Sequence, residues 1–185
     1  MSFKLLGIKI NISYAFALSL ALFIASDKSG NLLPLILAII IHEFSHLLVM
    51  CFLRVKPKEI YLTMGTINIK NNHILTIGEE ICVLLVGPLS NLILYLIFSC
   101  FNTNFANINL ILFIFNMLCI EGLDGGSIIK VILNNFFSSS LVKRIMLIIK
   151  IFNVIAFIFF FLFCLKNNFV NYTFLFFIIY ILIKR

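Results

Sequence analysis

The chain has 185 residues, of which 63% are hydrophobic and 11% charged, with a mean hydropathy of +1.18. A soluble domain is nearer half apolar and a quarter charged, so the composition argues against an ordinary water-soluble domain and for an integral membrane protein of one domain, residues 1–185. The formal charge of +7 does not indicate nucleic acid, because the basic residues flank apolar runs and form no stripe or aromatic-interleaved patch.

Six apolar runs follow one another, at about 5–25, 32–53, 79–101, 107–121, 141–165 and 169–183. They predict an all-α fold, a six-helix transmembrane bundle, although two of the runs are short of the roughly 20 residues a spanning helix needs. The first run has a basic start like a signal peptide. It lacks a small-x-small cleavage site and carries Lys9, so it reads as a retained first helix.

The second run holds the chemistry. Ile41-His42-Glu43-Phe44-Ser45-His46-Leu47 contains a His-Glu-x-x-His sequence. On a helix, His42 and His46 share one face four residues apart and can reach one metal ion, while Glu43 can take a proton from a bound water. Ionisable groups at bilayer depth are expensive, which favours a functional site over a purely structural His–Glu pairing.

Between the second and third runs, residues 59–77 alternate apolar and polar types. They predict a small interfacial β-hairpin whose strands, 66–70 and 73–77, flank Asn71 and Asn72. The hairpin is either a connector or an edge to which an extended peptide adds as a strand. His73 reads as a surface residue of that hairpin. The third run contains Gly87-Pro88-Leu89-Ser90-Asn91. There proline kinks the helix, glycine permits close helix approach, and Asn91 can hydrogen-bond across a helix interface.

The fourth run ends in Glu121-Gly122-Leu123-Asp124-Gly125-Gly126 and predicts a broken helix. Such a break is tolerated at membrane depth only where it is buried in protein or lines a wet cavity. A catalytic zinc takes three protein ligands and keeps an open position for water. Asp124, followed by Gly125 and Gly126 that let the backbone turn sharply, is the candidate third ligand. Its structural alternative is a helix N-cap, and Glu121 is the rival carboxylate. Asn116, ahead of the break, can orient a ligand, hydrogen-bond a scissile carbonyl, or satisfy backbone groups freed by the break. The five cysteines include no Cys-x-x-Cys pair and read as small hydrophobes.

With six spans, one side of the membrane carries Lys4, Lys9, Arg54, Lys56, Lys58, Lys70, Lys130, Lys143, Arg144, Lys184 and Arg185. The other carries Lys28 and Lys166, with Lys150 inside the fifth run. This positive-inside bias puts both termini in the cytoplasm and brings His42, His46 and Asp124 to one depth near the cytoplasmic leaflet.

His42-Glu43-x-x-His46, followed far downstream by Asn116 and then Leu123-Asp124-Gly125-Gly126, resembles the site-2 protease family of intramembrane zinc metalloproteases. Gly87-Pro88-x-x-Asn91 and Met64-Gly65-Thr66 are similar to the same family. The likeness covers nearly the whole chain and is nearest to the compact six-helix branch typified by stage IV sporulation protein FB. It implies one zinc per chain held by His42, His46 and Asp124, with Glu43 as catalytic base. It also implies a membrane-tethered protein substrate, such as a sigma-factor precursor, and a membrane inhibitor protein as a further partner beside the lipid bilayer. Cys119 and Gly122 stand where the family pattern has prolines, and neither change removes a ligand. No PDZ domain and no C-terminal nucleotide-binding module are expected. Readings from other classes are a membrane metal-ion transporter, which needs a polar path across both leaflets, and a catalytically inactive relative that binds membrane partners.

Overall fold

A computed structural model describes residues 2–5, 8–12, 30–55, 57–63, 66–71 and 75–166. Among them are four strands, β1 (Ser2–Leu5), β2 (Ile8–Ile12), β3 (Pro57–Thr63) and β4 (Thr66–Asn71). Five helices follow the same count: α1 (Leu32–Phe52), α2 (Ile77–Phe98), α3 (Thr103–Asn116), α4 (Asp124–Phe136) and α5 (Ser139–Lys166). The chain divides into two compact units, Met1–Met117 and Leu118–Arg185.

In the first unit, α2 packs against both α1 and α3, and α1 also meets α3. The apolar content that forms these helices is not spent on a dry core. Only 22% of the most apolar stretch of α1 and 17% of that of α2 is buried, while Leu33, Phe44 and Phe52 on α1 and Leu96 on α2 stand largely exposed. A core helix of a soluble protein would be mostly buried. Helices of 21 and 22 residues with outward apolar faces instead have the length and surface to cross a bilayer. The interior side carries the polar groups, with His42, His46, Asn91 and Asn109 all buried.

Local signals set the helix ends. Pro34 lies in the first turn of α1, where its missing N–H costs no helical hydrogen bond. At the other end Val55 N–H donates to the Met50 carbonyl and Arg54 N–H to the Cys51 carbonyl, the paired bonds of a Schellman motif. Arg54 takes the left-handed position that glycine usually holds, with φ 57°. Val55 and Met50, each 2% exposed, close the accompanying apolar contact. Helix α2 starts with a capping box: the Glu79 carboxylate accepts from the Thr76 N–H, and the Thr76 hydroxyl oxygen accepts from the Glu79 N–H.

The sheet runs in the order β1-β2-β3-β4. β1 and β2 pair antiparallel, β2 and β3 parallel, and β3 and β4 antiparallel. The parallel joint needs a crossover, and α1 lies in the intervening chain. Register places Phe3, Ile10, Ile60 and Ile69 in one row and Lys4, Lys9, Glu59 and Lys70 in the next.

Several expectations are corrected. The run at 5–25 does not begin as a helix, because Leu5 and residues 8–12 belong to strands. Its remainder, and the run at 169–183, lie outside the described residues. The hairpin between the second and third runs has its strands at Pro57–Thr63 and Thr66–Asn71, with Thr63 paired to Thr66, so Asn71 ends a strand and does not open the connection between the two. Ile77 opens α2, with Thr76 as its cap, and is no strand residue. His73 lies outside the described residues. The fourth run is helical only to Asn116, and α4 is a separate amphipathic helix that hydropathy alone did not mark as a run.

The left-handed backbone at Arg54 costs an L-residue with a Cβ about 1–2 kcal/mol, against a smaller entropic cost for glycine. Arg54→Gly is therefore expected to raise stability by about 0.5–1 kcal/mol. A titration of unfolding in mixed micelles would show it, and a lower midpoint would contradict the assignment of the cap.

Candidate metal centre

Helix periodicity carries the first part of the site. His42 and His46 lie one turn apart on α1, 5% and 6% exposed, with their rings edge to face at a centroid distance of 4.9 Å. Their Nε2 atoms are 3.2 Å apart. Two nitrogens that each sit about 2.0–2.1 Å from a tetrahedral zinc are about 3.3 Å from one another, so this pair fits one ion. Glu43, next in sequence and half-buried, belongs to the same helical turn.

Helix α2 supplies the wall. Gly87 faces the two imidazoles so closely that a side chain there could not be accommodated. A Cβ would fall 2.6 Å from His46 Cε1, 2.7 Å from His42 Cε1, and closer still to His46 Nε2. Two further groups on α2 hold the outer nitrogens: the Val83 carbonyl lies 2.6 Å from His46 Nδ1, and Asn91 Nδ2 lies 3.1 Å from His42 Nδ1. Asn91 is fully buried. Pro88, which follows Gly87, has no N–H to give the Leu84 carbonyl. The sequence indicated close approach at Gly87 and a cross-helix bond from Asn91. It held no sign of the Val83 carbonyl, because a backbone acceptor has no residue signature.

Asp124, Gly125 and Gly126 belong to the second unit. Asp124 is the first residue of α4 and Leu123 occupies the N-cap position, with no side-chain capping bond. The helix terminus favours a negative charge at that first residue. The preceding segment is held in an irregular path. Gly122 has φ 97°, a conformation closed to proline and favoured by glycine. Gly126 meets the Ile120 carbonyl so closely that no Cβ fits.

The rival carboxylate is accounted for differently. Glu121 accepts from Lys130 Nζ at 2.9 Å, and the two side chains are about half exposed (48% for Lys130, 51% for Glu121). Asn116 Nδ2 donates to the Leu112 carbonyl at 3.1 Å, which ties that amide to its own helix. Sequence reasoning missed Asn153 on α5, whose Nδ2 donates to both the Cys119 and the Ile149 carbonyls. An amide inside the apolar run 141–165 was the signal available. Cys51, Cys82, Cys100 and Cys119 are free thiols, in keeping with their reading as small apolar side chains.

Comparison with known proteins gives one kind of match. No family model and no curated protein matches the chain in sequence. Among solved structures, its fold is similar to that of the site-2 protease from Methanocaldococcus jannaschii, with a TM-score of 0.72 and 20% identity over 98% of this chain and 92% of that one. At that identity the likeness establishes the fold.

Two substitutions test the packing. Gly87→Ala is expected to destabilise the first unit by about 1–3 kcal/mol through overpacking and to lower its affinity for zinc, measured by competition with a chromogenic chelator. Gly122→Pro is expected to cost more than about 1 kcal/mol, because the φ of 97° is incompatible with proline. A stabilised Gly122→Pro protein would show that the segment follows another path.

Proposed function

We propose that the chain is an intramembrane zinc metalloendopeptidase acting on a membrane-tethered protein, with His42, His46 and Asp124 as metal ligands and Glu43 as general base. The observation that carries this reading is the 3.2 Å separation of two Nε2 atoms on a His-Glu-x-x-His helix. Two imidazoles and one carboxylate are the donor set of a catalytic zinc that keeps a fourth position open; His42 and His46 would supply the imidazoles, and Asp124 is the carboxylate this reading assigns. The fold, similar to that of a site-2 protease, supports the same class.

Zinc bound there would bring the pKa of a coordinated water to about 7 and polarise a peptide carbonyl. The chain's own groups do the rest. Glu43 takes the proton of the attacking water and delivers it to the leaving amine nitrogen. The Val83 carbonyl holds the outer proton of His46, which leaves the inner nitrogen of that ring as a lone-pair donor. The apolar exteriors of α1 and α2 keep bulk water from this interior, which strengthens each electrostatic contact inside it. A helical substrate hides its peptide bonds, so the substrate must be extended before cleavage. Among the described residues β1 and β4 are the outer strands of the sheet, and an outer strand is an edge to which an extended segment can add.

The basic-residue asymmetry supports cytoplasmic termini, a multi-pass topology and cleavage near the cytoplasmic leaflet. A sigma-factor precursor is the substrate suggested by the sequence resemblance, and a membrane inhibitor is the regulator in keeping with it.

Zinc content and proteolysis of the purified protein test the reading together. Wild-type protein should carry one zinc per chain and cleave a labelled casein in micelles. Glu43→Gln should keep its zinc and lose about 10²–10⁴ in rate. Asp124→Ala should weaken zinc binding by more than roughly 100-fold, beyond the usual loss from an outer-shell change. Zinc-free, well-folded wild-type protein would remove the enzyme reading, and full zinc retention in Asp124→Ala would remove that ligand.

A further inference from the structure

We infer that the turn between α4 and α5 is a membrane-surface anchor selective for anionic phospholipid. Phe136, Phe137 and Leu141 enter the headgroup boundary of the bilayer, and Lys143 and Arg144 hold negatively charged headgroups. The inference rests on the reading of the chain as membrane-embedded and is independent of the metal centre.

Charge distribution gives the first half of the argument. Every acidic residue of the chain lies at or before Asp124, whereas Lys130, Lys143, Arg144 and Lys150 follow within α4 and α5. Lys130 is engaged by Glu121. Lys143 and Arg144 are exposed and have no ion-pair partner among the described residues. Between Arg144 and the last residue of α5, Lys166, the only charge is Lys150. That stretch rises about 33 Å, enough to cross a hydrocarbon core of about 30 Å. Leu147, Ile148, Phe152 and Phe159 are exposed along it. A helix so seated holds Lys143 and Arg144 at the level of the headgroup phosphates.

Helix α4 gives the apolar half. Ile128, Ile129, Ile132, Leu133 and Phe136 fall on one face, with Ser127, Lys130 and Asn134 opposite. At 13 residues α4 is too short to span a bilayer, and a two-faced helix of that kind lies in the membrane surface. Helix α5 packs against α4, yet Phe136 at its end is 72% exposed, and Phe137 and Leu141 across the turn are exposed too. The turn is short. Phe137 N–H donates to the Leu133 carbonyl, and the Ser138 carbonyl accepts from the N–H groups of Leu141 and Val142. Val142 and Met146 are buried, so the first turns of α5 direct Leu141, Lys143 and Arg144 outward. Water alone leaves the exposed rings unfavourably hydrated, and hydrocarbon alone leaves the cations unsolvated. An anionic membrane surface suits both. The outward apolar side of α5 adjoins this patch, so lipid, and not an acidic protein, is the occupant the surface favours.

The chain contains no tryptophan, so Phe136→Trp gives the full-length protein a single fluorescent reporter. In vesicles of phosphatidylcholine and phosphatidylglycerol its emission should shift to the blue, and lipids brominated on the acyl chains should quench it. Brominated phosphatidylglycerol should be preferred over brominated phosphatidylcholine by about 5-fold or more, the scale of one cation at the headgroup level. The double substitution Lys143→Gln/Arg144→Gln should bring that ratio toward one, and high salt should lower it in the unsubstituted background. Should Phe136→Trp disturb the fold, Leu141→Trp reports on the same patch. Equal quenching by the two lipids, or a preference that survives the double substitution, would overturn the inference. So would a reporter that neither lipid quenches. If aqueous acrylamide reaches it, the turn stands in water; if acrylamide does not, a protein partner covers the patch. A chain that alkaline carbonate washes from membranes would overturn the membrane reading beneath the inference.

Discussion

Two imidazole nitrogens held 3.2 Å apart inside an apolar interior impose most of what is distinctive about the first unit. They cannot both point a proton at each other, and their spacing is that of two nitrogens on one cation. Such an approach requires a partner helix with no side chain at the point of contact, and α2 presents Gly87 there. It also requires that each ring be held by its outer nitrogen, which Val83 and Asn91 provide. Helix α2 therefore serves the site in three ways: it yields space, offers a carbonyl and offers an amide. The capping box at Thr76 and Glu79 fixes the start of α2, which sets where along the helix these groups fall.

The second unit solves a different problem, that of starting a helix with a carboxylate at its first residue after an irregular stretch. Backbone that leaves a helix must find other partners. Here Asn153 serves the Cys119 carbonyl, while Leu123 N–H returns to the Ile120 carbonyl and Ser127 N–H to that of Leu123. Gly122 supplies the left-handed turn and Gly126 the close approach to Ile120. Lys130, one residue short of two turns into α4, draws Glu121 to the surface. Of two carboxylates three residues apart, the segment commits one to an exposed ion pair and opens α4 with the other.

The fold is shared with a site-2 protease at only 20% identity. That combination is what membrane-length helices allow. Outward faces need only be apolar and long enough, so Leu, Ile, Phe and Val can replace one another freely where they meet no close-packed neighbour. The positions that cannot drift are those where polar groups are buried or a backbone passes within contact distance, such as His42, His46, Gly87, Asn91 and Gly126.

What the sequence by itself determined is whatever depends on short separations along one element. A spacing of four on a helix puts His42 and His46 on one face regardless of the rest of the chain, and the high apolar content implies an apolar surround. A break near Glu121–Gly126 was legible for the same reason, since glycines and charges interrupt the run locally, although the helix already ends at Asn116. Tertiary structure decided the rest. Residues 8–12 alternate apolar and polar and so were open to a strand, but hydropathy outweighed the alternation until β3, distant in sequence, gave β2 a partner. The alternation through 59–77 could not say where one strand ends and the next begins, and the pairing of β3 with both neighbours set that register, down to Thr63 against Thr66. The outer nitrogens of the two histidines are held by a carbonyl and an amide from another helix. No pattern along α1 encodes them, because hydrogen bonds across an interface are fixed only when the helices meet.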